Sequence, residues 1–82
     1  MMTVRLLAFA SLRDLLGAPV RAIEVPEGAT LADLWARLVR ERPEFADLER
    51  STRFARNGEL AAPHSALAEG DEVALMPPFG GG

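Results

Sequence analysis

The sequence predicts a two-layer α+β domain, with one long helix laid across one face of a five-stranded mixed sheet and the other face left bare. Three observations carry that expectation. Leu31, Leu34, Trp35, Leu38 and Val39 recur at i, i+3, i+4, i+7 and i+8, the spacing of one apolar helix stripe. Short strand-like segments surround that helix at residues 3–10, 20–25, 52–56, 59–61 and 72–76. The chain has 82 residues, 49% of them hydrophobic, which is room for one core and no second domain.

The first segment, TVRLLAFA, alternates Val4, Leu6 and Ala8 on one face with Arg5, Leu7 and Phe9 on the other. Ser11 follows as a helix N-cap with Asp14 three positions on and Gly17 as a stop, predicting a short helix. VRAIEV at 20–25 is the second strand, closed by the turn residues Pro26, Glu27 and Gly28. Thr30 caps the main helix with Asp33 at the third helical position, and Pro43 ends it after Arg42 because the residue before proline avoids helical geometry. Trp35 lies within the apolar stripe, which assigns it to packing.

Residues 43–50 form a short helix or turn that points Phe45 and Leu48 inward. Asn57-Gly58 then joins two strands in a tight hairpin, since both central residues of a type I′ turn need positive φ. An irregular crossing through Pro63, His64 and Ser65 leads to the turn Glu69-Gly70-Asp71 and the last strand, EVALM at 72–76. His64 has no second histidine, cysteine or acidic cluster at ligand spacing and reads as a loop residue. The expected core is Val4, Leu6, Ile23, Val25, Leu31, Leu34, Trp35, Leu38, Val73 and Leu75.

After the last strand come Pro77-Pro78-Phe79-Gly80-Gly81-Gly82. The prolines lack amide donors and cannot continue a strand, and the glycines form a thin thread without side chains. The chain therefore divides into a folded domain at 1–76 and a tail at 77–82 that presents the carboxylate of Gly82. From Pro78 to Gly82 such a thread reaches roughly 13 Å at about 3.3 Å per residue, enough to enter a buried pocket.

The composition excludes several functions. The net charge is −3 and the basic residues are dispersed, which argues against nucleic acid as a partner. No apolar run approaches the roughly 20 residues of a membrane span, and the N-terminus lacks a signal-peptide pattern, so a cytoplasmic protein without membrane contact is expected. There is no cysteine, hence no thiolate metal site and no thiol nucleophile. There is no lysine and one histidine, so a self-contained active site is hard to assemble and no metal site is expected.

The helix-free face carries more information. Leu7 and Phe9 from the first strand, Met76 from the last and Leu60 from the hairpin would point there, and grouped apolar residues on a bare sheet face mark a docking surface. Each contributes roughly 1.5 to 3 kcal/mol on burial, against an association cost of roughly 4 to 15 kcal/mol. Such a patch binds weakly alone, and a threaded tail would add the remainder.

VRLLAFASLRDLLG at 4–17 and NGELAAPHSALAEGDEVALMPPFGGG from Asn57 onward, above all GDEVALMPP running into Gly81-Gly82, resemble the small subunit of molybdopterin synthase. That family belongs to the ubiquitin-like sulfur carriers, which include the thiamine-pathway carrier. The resemblance spans nearly the whole chain and implies a β-grasp fold with the first and last strands parallel at the sheet centre. The sequence departs at Gly80, where the family more usually carries a small residue such as alanine or serine, and Phe79 fills the hydrophobic position before it.

By this resemblance, Gly82 is adenylated by an ATP-using, ubiquitin-activating-like adenylyltransferase, and sulfur then replaces AMP to give a thiocarboxylate. No cofactor is held permanently; AMP and the thiocarboxylate are transient covalent states. An activating partner is required because a terminal carboxylate, with a pKa of about 3.3 to 3.7, is ionised and a poor electrophile at neutral pH. The tail then enters the large subunit, within an expected heterotetramer, where sulfur passes to a pterin precursor. Gly82 is thus the chemical site, with Gly81, Gly80, Phe79, Pro78, Met76, Phe9, Leu60 and Leu7 contacting partners. The same Gly82 chemistry would serve thiamine assembly or tRNA thiolation, whereas a ubiquitin-like modifier or a purely structural module would not use sulfur at all.

Overall fold

The first strand, β1 (Met2–Ala8), buries Met2, Val4, Leu6 and Ala8 on one face, the alternation its sequence dictates. It is followed by α1 (Ser11–Leu16), β2 (Val20–Val25), α2 (Leu31–Glu41), a 3-10 helix at Pro43–Ser51, β3 (Arg53–Arg56), β4 (Glu59–Ala61) and β5 (Glu72–Met76). The computed structural model describes residues 1–9 and 11–76. The sheet order is β2-β1-β5-β3-β4, with β1 and β5 parallel and every other pairing antiparallel. The expected parallel placement of the first and last strands at the sheet centre is present.

Helix α2 forms where its sequence says it should. Thr30 Oγ1 accepts from the Asp33 amide at 3.2 Å, and the Asp33 carboxylate accepts from the Thr30 amide at 2.9 Å, closing a capping box. The next free amides find partners in the crossing segment: Leu31 N donates to Ser65 O at 3.0 Å and Ala32 N to Pro63 O at 2.8 Å. These bonds hold residues 63–66 under the helix start and turn Leu67 into the core. Trp35 packs edge-on against Phe45, at 5.5 Å between ring centroids, and against Phe54, at 5.8 Å.

All ten expected core residues are buried, joined by Met2, Ala8, Leu12, Leu16, Ala29, Phe45 and Leu67. Several boundaries differ from the sequence reading. β1 spans Met2–Ala8 instead of 3–10, so Phe9 lies just past the strand and Ala10 outside the described residues. Ser11, expected as a cap, is the first residue inside α1. Thr52 precedes β3 because its hydroxyl donates to Leu48 O at 2.8 Å, which ties it to the preceding 3-10 helix. At the hairpin, Asn57 (φ 52°) and Gly58 (φ 87°) both adopt the positive φ that the tight turn needs.

The turn at 69–71 does more than reverse the chain. Asp71 is 6% exposed, and its carboxylate accepts from Arg56 Nε at 2.6 Å, Asn57 Nδ2 at 2.9 Å and Ala68 N at 2.7 Å. Asn57 also exchanges two hydrogen bonds with the backbone of Glu72. This network locks the β3–β4 hairpin to the start of β5.

Candidate functional site: the bare sheet face and the root of the tail

Helix α2 covers one face of the sheet, and the strand pairings decide what stands on the other. Leu60 lies opposite Ala55, Ala55 opposite Ala74, Ala74 beside Leu7, and Leu7 opposite Val20. Directly paired residues share a face, so these five form one apolar row running across all five strands. Leu60 is 68% exposed and Val20 46%, large apolar side chains turned to water at the two ends of the row. Arg5 and Glu72, paired in the next register position, form an exposed ion pair at 3.3 Å that borders the row on one side.

On its other side the row meets the C-terminal end of β5. Met76 follows Ala74 by two residues on β5, which places it on the same face, half-buried and opposite Arg53. Phe9, immediately after β1, is 49% exposed. Because β1 and β5 are parallel, their C-terminal ends lie at the same end of the sheet, and this brings Phe9 and Met76 to the end from which residue 77 departs. The structure thus gathers Leu7, Leu60 and Met76 on one face with Phe9 at its rim. Pro78, Phe79, Gly80, Gly81 and Gly82, also expected at the site, lie outside the described residues.

Three members of the row were absent from the sequence expectation. Alternation with the inward Ile23 and Val25 already turns Val20 to the bare face, but its place at the end of the row depends on its register with β1. Ala55 and Ala74 are too small to draw notice singly; they matter because they are flat links between larger neighbours. Among the described residues there is no group of three or more His, Asp or Glu side chains able to hold a metal, and His64 is exposed on its turn. The N-terminal amides of α2 are consumed by Thr30, Pro63 and Ser65, so the long helix presents no free anion site.

Such a sheet, with one principal helix across it and parallel β1 and β5 at its centre, is a ubiquitin-like β-grasp. The chain belongs to the ThiS family, which it matches over residues 6–82. It is 35% identical over 83 residues to the molybdopterin synthase sulfur carrier subunit of Chlamydomonas reinhardtii, covering 99% of this chain and all of that protein. The human molybdopterin synthase sulfur carrier subunit is 32% identical, with 96% of this chain and 93% of that protein covered. Among solved structures, the Haloferax volcanii small archaeal modifier protein 1 superposes with a TM-score of 0.80 at 31% identity, over 96% of this chain and 100% of that one.

Proposed function

We propose that this chain is the sulfur carrier of molybdopterin synthesis, with the carboxylate of Gly82 as its working group. The observation that carries the reading is that the family match continues through the tail to residue 82, in a chain similar along its length to molybdopterin synthase sulfur carrier subunits. An ATP-using adenylyltransferase joins AMP to the Gly82 carboxylate with loss of pyrophosphate. A sulfur nucleophile supplied by partner proteins then attacks the acyl carbon and AMP leaves, giving a thiocarboxylate.

The row from Leu60 to Val20, with Met76 and Phe9, docks the large subunit while residues 77–82 thread into it and deliver sulfur to the pterin precursor. Each chain is a co-substrate, and the catalytic residues belong to the partners. No helix among the described residues is long and apolar enough to cross a membrane, in keeping with a cytoplasmic site of action.

Co-expression with the activating enzyme followed by high-resolution mass spectrometry tests this. The expected product has one carboxylate oxygen of Gly82 replaced by sulfur and is captured by alkylation, which distinguishes it from oxidation of any of the three methionines. A terminus that stays unmodified under those conditions refutes the sulfur-carrier reading.

Similarity to the small archaeal modifier protein favours a second reading, protein conjugation. It would show Gly82 in amide linkage to lysines of other proteins instead of an alkylatable thiocarboxylate.

A further inference from the structure

The bare face is not the only apolar surface among the described residues. On the opposite side of the sheet, α2 stands away from the β3–β4 edge and leaves a groove of about 890 Å³. Its walls are Ala32, Trp35, Ala36 and Val39 from the helix and Phe54 and Ala61 from the strands. Small side chains at positions 32 and 36 keep it open. Trp35 is 5% exposed, and its indole Nε1 is buried with no hydrogen-bond acceptor among the described residues. A buried donor without an acceptor costs free energy, while the indole ring itself forms part of the groove wall. Arg50 and Arg53 also line the groove, and neither has an ion-pair partner among the described residues.

We infer that this groove holds the chain's own last residues, with Phe79 against Trp35 and Val39 and the Gly82 carboxylate near Arg50 and Arg53. The connectivity favours this occupant over any other peptide. Met76 pairs directly with Arg53, which itself lines the groove, so residue 77 starts at its lip. Phe79 is three residues farther on, a reach of roughly 10 Å at about 3.3 Å per residue. The apolar side chain and the terminal negative charge of the tail match an apolar floor bordered by Arg50 and Arg53, whose two positive charges outnumber the single negative charge of Glu49 in the same wall.

The groove and the bare face share residues. Leu60 lines the groove and also ends the apolar row, and Arg53 lies beside both Met76 and the groove. A partner that seats on the bare face and engages Leu60 therefore competes with the parked tail and releases it at the moment of docking. The resting position of the tail is independent of whether Gly82 carries sulfur.

Trp35 is the only tryptophan, so its indole N–H gives a single resonance in a ¹⁵N-labelled sample. In the unmodified full chain, nuclear Overhauser contacts are expected from the Phe79 ring to the Ala36 and Val39 methyls. The indole resonance should shift in Phe79→Ala as the aromatic ring leaves its contact with Trp35. Ala36→Arg, at an exposed helix position that tolerates the longer side chain, should fill the groove and abolish the Phe79 contacts with the fold intact. The inference is overturned by an indole resonance indifferent to Phe79→Ala, by Phe79 contacts to Leu7 or Val20 instead, or by groove contacts that vanish on dilution, which would assign them to a second copy's tail. No activating enzyme enters the experiment, so its failure is separate from failure of the sulfur-carrier reading.

Discussion

Replacing Asp71 with alanine tests the most concentrated set of side-chain hydrogen bonds among the described residues. The side chain is buried and accepts three hydrogen bonds, from Arg56, Asn57 and the Ala68 amide. Hydrogen bonds to a charged group contribute about 1.5 to 3 kcal/mol each. The Arg56 side chain is 37% exposed, so water replaces part of what that contact gives and the sum must be discounted. A loss of about 2 to 4 kcal/mol is expected, which for a domain of this size lowers the thermal midpoint by roughly 10 to 25 °C.

The pH dependence supplies an internal control for the same variant. Burial alone would raise the Asp71 pKa, but the hydrogen bonds from Arg56, Asn57 and Ala68, with the Arg56 charge, outweigh it and hold the group below its ordinary value of 3.8. A depressed native pKa means stability that is present above the ordinary value and is lost as pH falls through the native one. The gap between wild type and Asp71→Ala in thermal melts should thus be constant near neutrality and narrow in acid below about pH 4. A midpoint lowered by less than about 3 °C, or a gap that does not narrow in acid, would refute the claim that this network pins the hairpin to β5.

Other substitutions probe the remaining links. Phe9→Glu should leave the melting temperature nearly unchanged, since the ring is half in water, yet weaken association with a large subunit at least about tenfold, or about 1.4 kcal/mol, by calorimetric titration; loss of the fold would contradict the face assignment. Gly58→Ala meets no neighbouring atom but keeps φ at +87°, so a purely conformational cost of about 1 to 2 kcal/mol should appear in denaturant unfolding. Thr30→Ala removes one half of the capping box and should cost about 1 kcal/mol in the same measurement.

Much of this protein was legible before any coordinates. Helix α2 has its limits written locally, by Thr30 and Asp33 at one end and Pro43 beyond the other. The turn at Asn57-Gly58 follows from which residues tolerate positive φ, and strands β2, β4 and β5 span the expected residues. The family resemblance, carried by GDEVALMPP and the terminal glycines, likewise needed only the order of residues. All of these signals act over a few positions along the chain.

What the tertiary structure decided depends on pairs far apart in sequence. Alternation says that Leu7 and Ala74 each oppose a buried neighbour, but only strand order and register put them side by side, with Ala55 and Leu60 on one flank and Val20 on the other. Asp71 read as a turn residue because nothing local reveals that Arg56 and Asn57 fold back to it. The groove between α2 and the β3–β4 edge exists only because Ala32 and Ala36 face Phe54 and Ala61 across two layers. Turns and caps are set by steric and hydrogen-bond preferences within a few residues. A shared face, a buried carboxylate's partners and a groove arise only when packing brings distant segments into register.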